Sequence, residues 1–140
     1  MPVLNKVAQF AVTPLPHRIT PTAHAIYDYV NTGVFLVGAA SFWRRNKRAA
    51  VGALVGASAS LILALITDHP GGVRKLLRLG THRDLEIGLA TMVATMPEFL
   101  GFKDEPERKF FLAEGILITA VNQLTARPSK RKFLRRTEAA

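Results

Sequence analysis

The chain contains no cysteine, and among its 140 residues only 10 acidic side chains stand against 19 Lys and Arg. Without thiols there is no disulfide framework, no thiolate nucleophile and no Cys-ligated zinc or iron–sulfur centre. The shortage of acid leaves a formal net charge of +9. In a soluble protein that excess points to nucleic acid, and in a membrane protein to anionic lipid first. Charge of either sign is missing altogether from residues 29–43 and 49–67, while nearly every Lys and Arg falls in the short stretches between apolar blocks. Such segregation belongs to a membrane protein. The length suffices for one domain and excludes two of ordinary size.

Four apolar blocks follow an N-terminal segment, 1–22, that holds Pro2, Pro14, Pro16 and Pro21 and has no secretory h-region. Within it Val3, Leu4, Val7, Phe10 and Ala11 recur at helical spacing, as in a segment lying in the membrane interface. The blocks cover about 25–43, 49–67, 85–102 and 110–126, and a basic tail occupies 127–140. The second block is long enough to span a bilayer and carries no charge. The third contains Pro97, which should kink or end it, and the fourth carries Glu114, Asn122 and Gln123. A soluble bundle would have to bury residues 49–67 on all sides, which a chain of this size scarcely can. No alternating pattern of a membrane barrel occurs. The expected fold is therefore all-α: a four-helix transmembrane bundle, residues 23–126, made of two helical hairpins.

The hairpins correspond. At an offset of 58 residues His24 falls on His82, Asp28 on Glu86, Leu54 on Leu112 and Thr67 on Thr125, which predicts a parallel internal repeat about an axis along the membrane normal. The segment Met96-Pro97-Glu98-Phe99-Leu100-Gly101-Phe102 resembles the signature of the SPW-repeat membrane proteins. In that family a Ser-Pro-Trp triplet precedes an apolar residue or two, a Gly and another apolar residue. Only Pro97 of the triplet stands here, while Ser41-Phe42-Trp43 keeps the Ser and Trp without the Pro. The resemblance covers about 23–125 and implies paired membrane hairpins; it brings no activity with it.

Counting Lys and Arg by side gives twelve with the termini and the middle connection and seven opposite. That bias places both termini in the cytoplasm, as for a bacterial inner-membrane protein, although Arg44, Arg45, Lys47 and Arg48 crowd one short loop on the other side. Around residue 75, Val73, Leu76 and Leu77 take one face of a short helix and Arg74, Lys75 and Arg78 the rest, the pattern of a segment flat on anionic lipid. In the tail, Lys130, Arg131, Lys132, Arg135 and Arg136 surround Phe133 and Leu134. These cations suit anionic headgroups, at about 1 kcal/mol each, or simply fix topology. They offer nucleic acid no aromatic platform.

The polar residues gather at one end of the expected bundle. His24 and Asp28 share a face at the start of the first helix, His82 and Glu86 do so at the third, and Asp68 and His69 follow the second before Pro70-Gly71-Gly72. Imidazole and carboxylate delivered by several helices are what a divalent metal takes. The same spacing also arises at helix starts with no metal, where carboxylates favour the positive dipole end and arginines such as Arg18, Arg74 or Arg83 can pair with them. The three histidines lie too near helix ends for a bis-histidine haem, and no His is expected at the depth of Ser41, Ser58 or Ser60 to make a nucleophile. Gly52, Gly56 and Ser60 stand four residues apart as a close-packing face for the fourth helix, a second protomer or another membrane protein.

Two readings of function follow. The first is a membrane protein without catalysis or cofactor that packs, associates with a partner or contacts lipid. The second is a metal- or proton-handling membrane protein, a hydrolase among its forms, that uses the His and carboxylate cluster. Convergence of His24, His82 and a neighbouring acid on one point separates them.

Overall fold

The computed structural model describes residues 18–126, so the interfacial segment expected before Arg18 and the basic tail with Lys130, Arg131, Lys132, Arg135 and Arg136 lie outside the described residues. Within them the chain forms four α-helices and no strand: α1 (Pro21–Phe42), α2 (Lys47–Ile66), α3 (Leu79–Phe99) and α4 (Arg108–Leu124). Local chemistry sets the boundaries. Thr20 caps α1 by accepting from the Ala23 amide at 3.2 Å, and Pro21 takes a first-turn position where no amide is needed. Asn46 caps α2 through the Ala49 amide at 3.1 Å.

The third helix begins six residues before the apolar block that announces it, because Thr81, Arg83 and Asp84 interrupt the hydrophobic run without interrupting the helix. Pro97 does not end it. The helix continues to Phe99, and Gly101, at φ 74°, closes it. The Phe102 amide reaches back to the Pro97 carbonyl and the Gly101 amide to that of Glu98, a left-handed termination that favours glycine.

Short connections fold α1 against α2 and α3 against α4, and the two hairpins join through α2 with α3 and α1 with α4. One end of the bundle is aromatic: Phe110 meets Phe35 and Phe42 edge-on at centroid distances of 5.8 and 5.3 Å, beside buried Phe102 and Phe111. At the opposite end the repeat is visible in the backbone. Ile19 bridges to Thr125, and Leu77 bridges to Thr67, so the segment that leads into each hairpin is tied to a helix end by residues 58 apart in the two halves.

The connection from α2 to α3 is not the flat helix expected around residue 75. The amides of Val73 and Arg74 bond the Leu65 carbonyl and those of Leu76 and Leu77 the Ile66 carbonyl, which pulls the chain over the end of α2. Gly72 is required there, since a Cβ would lie 1.8 Å from the Thr67 carbonyl oxygen. Val73 and Leu76 are exposed, as are Arg74, Lys75 and Arg78.

The outside of the bundle is apolar. Val37 (67% exposed), Ile62 (56%) and Ile116 (70%) belong to stripes that also hold Ile26, Val30, Leu54, Val55, Leu85, Ile87 and Leu117. Buried instead are His24, Asp28, Asn31, Ser60, His82, Glu86, Glu114 and Asn122. By length and composition one helix, α2, qualifies as a membrane span, with mean hydropathy 2.3. The other three are diluted by the polar residues they turn inward.

Candidate metal centre

The inward polar groups of the two hairpins meet at one point. His24 and Asp28 descend from the first turns of α1, and His82 and Glu86 from those of α3; all four side chains are buried. His24 Nε2 lies 3.3 Å from His82 Nε2, 3.2 Å from Glu86 Oε2 and 3.5 Å from Asp28 Oδ1. His82 Nε2 lies 3.4 Å from Asp28 Oδ2 and 3.8 Å from Glu86 Oε1. One donor atom from each of the four residues can be chosen within 4.8 Å of all the others. A tetrahedral ion bound at about 2.0–2.1 Å separates its ligands by about 3.3–3.4 Å. The two imidazoles stand at about that separation, 3.3 Å, and each lies 3.2–3.8 Å from the nearer oxygen of both carboxylates.

The far nitrogens of both imidazoles explain their orientation. His24 Nδ1 is 2.7 Å from Thr125 Oγ1, and His82 Nδ1 is 2.7 Å from Thr67 Oγ1. A threonine hydroxyl has one hydrogen, and both are committed: Thr125 donates to the Val121 carbonyl and Thr67 to that of Leu63, the back-bonding open to Thr in a last helical turn. Each oxygen therefore accepts the Nδ1–H of its histidine, which leaves the Nε2 lone pair of a neutral ring aimed inward. The pairing is crossed, each hairpin's histidine being fixed by a threonine from the same repeat position in the other half: Thr125 closes α4 over His24 from α1, and Thr67 closes α2 over His82 from α3. Glu86 is held by Asn122, whose amide donates to Oε2 at 2.8 Å and to the Arg83 carbonyl at 2.8 Å. Arg83 donates in turn to the Asn122 carbonyl at 2.6 Å.

His69 stands beside this set rather than in it. Its Nδ1 accepts the Gly71 amide at 3.1 Å, so the proton of the neutral ring is on Nε2, 3.7 Å from Asp28 Oδ2. Burial, with the nearby His82 and His24 rings, lowers its pKa from the ordinary imidazole value and keeps it neutral. No hydrogen bond forms across that gap, and the neutral ring has no inward lone pair to give. Asp68 is excluded: the turn after Thr67 points it outward, 56% exposed and paired with Lys75 at 3.2 Å. Of the six candidate ligands, four converge, one flanks and one leaves. Gln123 is exposed.

Thr67 and Thr125 were not legible as site residues, although the offset of 58 already paired them. Ser60 was expected away from any histidine, yet it lines a small cavity together with His82. Gly52 and Gly56 do pack closely, but Gly56 faces Phe35 of α1, and Gly52 faces Met96 and Leu100 near the end of α3 and Phe111 of α4. Compared with known protein families, with curated proteins and with solved structures, the chain matches none.

Proposed function

We propose that this chain is a small polytopic membrane protein that holds one divalent metal ion between its two hairpins, bound by His24, Asp28, His82 and Glu86. The observation that carries the reading is the crossed histidine–threonine pairing, which turns the Nε2 atoms of two imidazoles toward each other and toward two buried carboxylates, 3.2–3.8 Å away. A cation held there would take a lone pair from each imidazole and neutralise both carboxylates in a buried place where uncompensated charge is costly. The hydroxyl partners are the outer contacts that fix tautomer and ring direction in metal sites.

The membrane part of the reading is supported by the surface. Between Thr22 and Trp43, along 49–67, from Leu85 to Pro97 and from Phe110 to Ala126, no charged side chain is exposed, while ionisable groups face inward, as they do in membrane bundles. A contiguous apolar surface on four helices is foreign to a soluble monomer. The cation excess then puts the metal at the cytoplasmic end, alongside both termini.

Metal analysis of purified, detergent-solubilised protein tests this. About one equivalent of a divalent first-row ion is expected, lost in His82→Ala and retained in Asp68→Asn. Sub-stoichiometric metal that is indifferent to His82→Ala overturns the reading. A proton shared between the two Nε2 atoms is the competing use of their 3.3 Å approach, and it predicts folded, metal-free protein.

A further inference from the structure

The four ligands do not enclose the ion equally. A cavity of about 10 Å³ adjoins the cluster, lined by Asp28, His82 and Glu86 but not by His24. A tetrahedral set of these four has one face made of those three residues and turned away from His24, and the cavity's lining takes in all three, with Leu63 and Leu89 beside them. The contact between His82 Nε2 and Glu86 Oε1, 3.8 Å, is the longest of the four histidine–carboxylate contacts among these residues. A fifth ligand enters a tetrahedral site through such a face, opposite the fourth donor. The volume matches about one water molecule, which needs roughly 10–15 Å³ and several polar partners.

Those partners are present. Asn31, one turn after Asp28 on α1, and Ser60, two turns before Thr67 on α2, also line the cavity. They are 4% and 6% exposed, and Asn31 Oδ1 and Ser60 Oγ have no hydrogen-bond partner in the structure. A buried amide oxygen or hydroxyl left unmatched is destabilising and calls for a reason. The internal repeat sharpens the point. At the offset of 58 residues Asn31 corresponds to Leu89 and Ser60 to Ile118, so the equivalent positions of the second half are apolar. The ligands and their threonines obey the repeat; the two unmatched polar groups break it, on the side where the cavity lies.

We infer that the ion keeps one exchangeable solvent ligand, a water or hydroxide seated in this cavity and hydrogen-bonded by Asn31 and Ser60. The centre is then five-coordinate and open on one face to a ligand of that size, and it is not a closed structural site. A closed site would have no use for a polar pair directed at its one unfilled face. Ser60 Oγ–H can donate to the solvent oxygen, while Asn31 Oδ1 accepts one of its hydrogens, an arrangement that holds the oxygen lone pair toward the metal. The inference rests on the metal reading above, and the experiment separates the two.

The full chain, solubilised in detergent and loaded with Co(II), is measured by low-temperature EPR in ordinary and in ¹⁷O-enriched water. The expected result is one Co(II) per chain with lines broadened by ¹⁷O. In the double variant Asn31→Leu/Ser60→Ala, Co(II) is still bound but the broadening falls to the level of the ordinary-water control. Co(II) bound without ¹⁷O broadening in the unaltered protein, or broadening undiminished in the double variant, overturns the solvent ligand and leaves the metal site standing. Failure to take up Co(II) at all sinks the metal site and this inference with it. If the double variant does not fold, Ser60→Ala alone decides, with unchanged broadening counting against the proposal.

Discussion

At the scale of single residues the proposed site divides into groups that would touch the ion and groups that aim those that would. Thr67 and Thr125 are aiming residues, each reading the Nδ1–H of one histidine while its own proton goes to the helix backbone. Thr125→Val keeps the shape of the side chain and removes the acceptor, so the ring of His24 loses both its tautomer preference and its fixed angle. Metal affinity should fall by about 10–100-fold, read by competition with a chromophoric chelator, and Thr125→Ser should restore most of it. Asp68→Asn, altering an exposed partner of Lys75, should leave affinity unchanged. His69 supplies a pH effect whose sign follows from its lowered pKa. The unfolded chain takes up the proton first as pH falls, near the ordinary imidazole value of about 6.5. Stability from this group is therefore complete above that range and declines below it. His69→Asn should flatten the acid limb of a melting-temperature profile recorded between pH 7.5 and 5. The groups around the ring, His82, His24, Asp28 and Asp68, are present in both proteins, so the difference between the profiles reads His69 together with its effect on them.

At the scale of elements, the four-residue spacings His24 to Asp28 and His82 to Glu86 were readable because a helix puts them on one face, and the offset between them announced the repeat. Less readable was whatever depended on contacts between elements. Thr125 reaches His24 from 101 residues away, and no local pattern encodes that. Asp68 and His69 are neighbours in sequence, yet the turn sends one to solvent and the other to Asp28. The first turn of α3 was hidden because its Arg83 and Asp84 look like a loop. Helix contact also grades the glycines. At Gly56 a Cβ would sit 2.8 Å from the Phe35 ring, so Gly56→Leu overpacks the α1–α2 seam and should lower stability by about 1–3 kcal/mol or more. Gly88 lies mid-helix on α3 with nothing within 4 Å of an added Cβ. Gly88→Ala should stabilise by about 0.5–1 kcal/mol, since glycine is the poorer helix former. Thermal melts of the two variants in one detergent check both signs; equal melting temperatures would show that the seam is looser than the distances require.

At the scale of the whole molecule the decisive property is inversion: hydrocarbon outside, imidazole and carboxylate inside. Among the described residues α2 alone is long and apolar enough to cross a membrane, because length and hydropathy average over a helix, whereas burial separates an exposed apolar stripe from the one that carries the candidate ligands. An inverted bundle of this kind should stay with membranes through an alkaline carbonate wash and leave them only with detergent; a monodisperse protein in plain buffer would be incompatible with it. Orientation can be tested directly because the chain has no cysteine of its own. With twelve Lys and Arg on the side of the termini against seven on the other, the metal end should face the cytoplasm. Lys75 lies in the connection that covers the metal end and Lys103 in the loop at the aromatic end, and both are exposed. In sealed right-side-out vesicles, an impermeant maleimide should label Lys103→Cys and spare Lys75→Cys until the membrane is opened. The reverse pattern would mean that the cluster Arg44, Arg45, Lys47 and Arg48 governs insertion, and the ion would then be loaded from outside the cell.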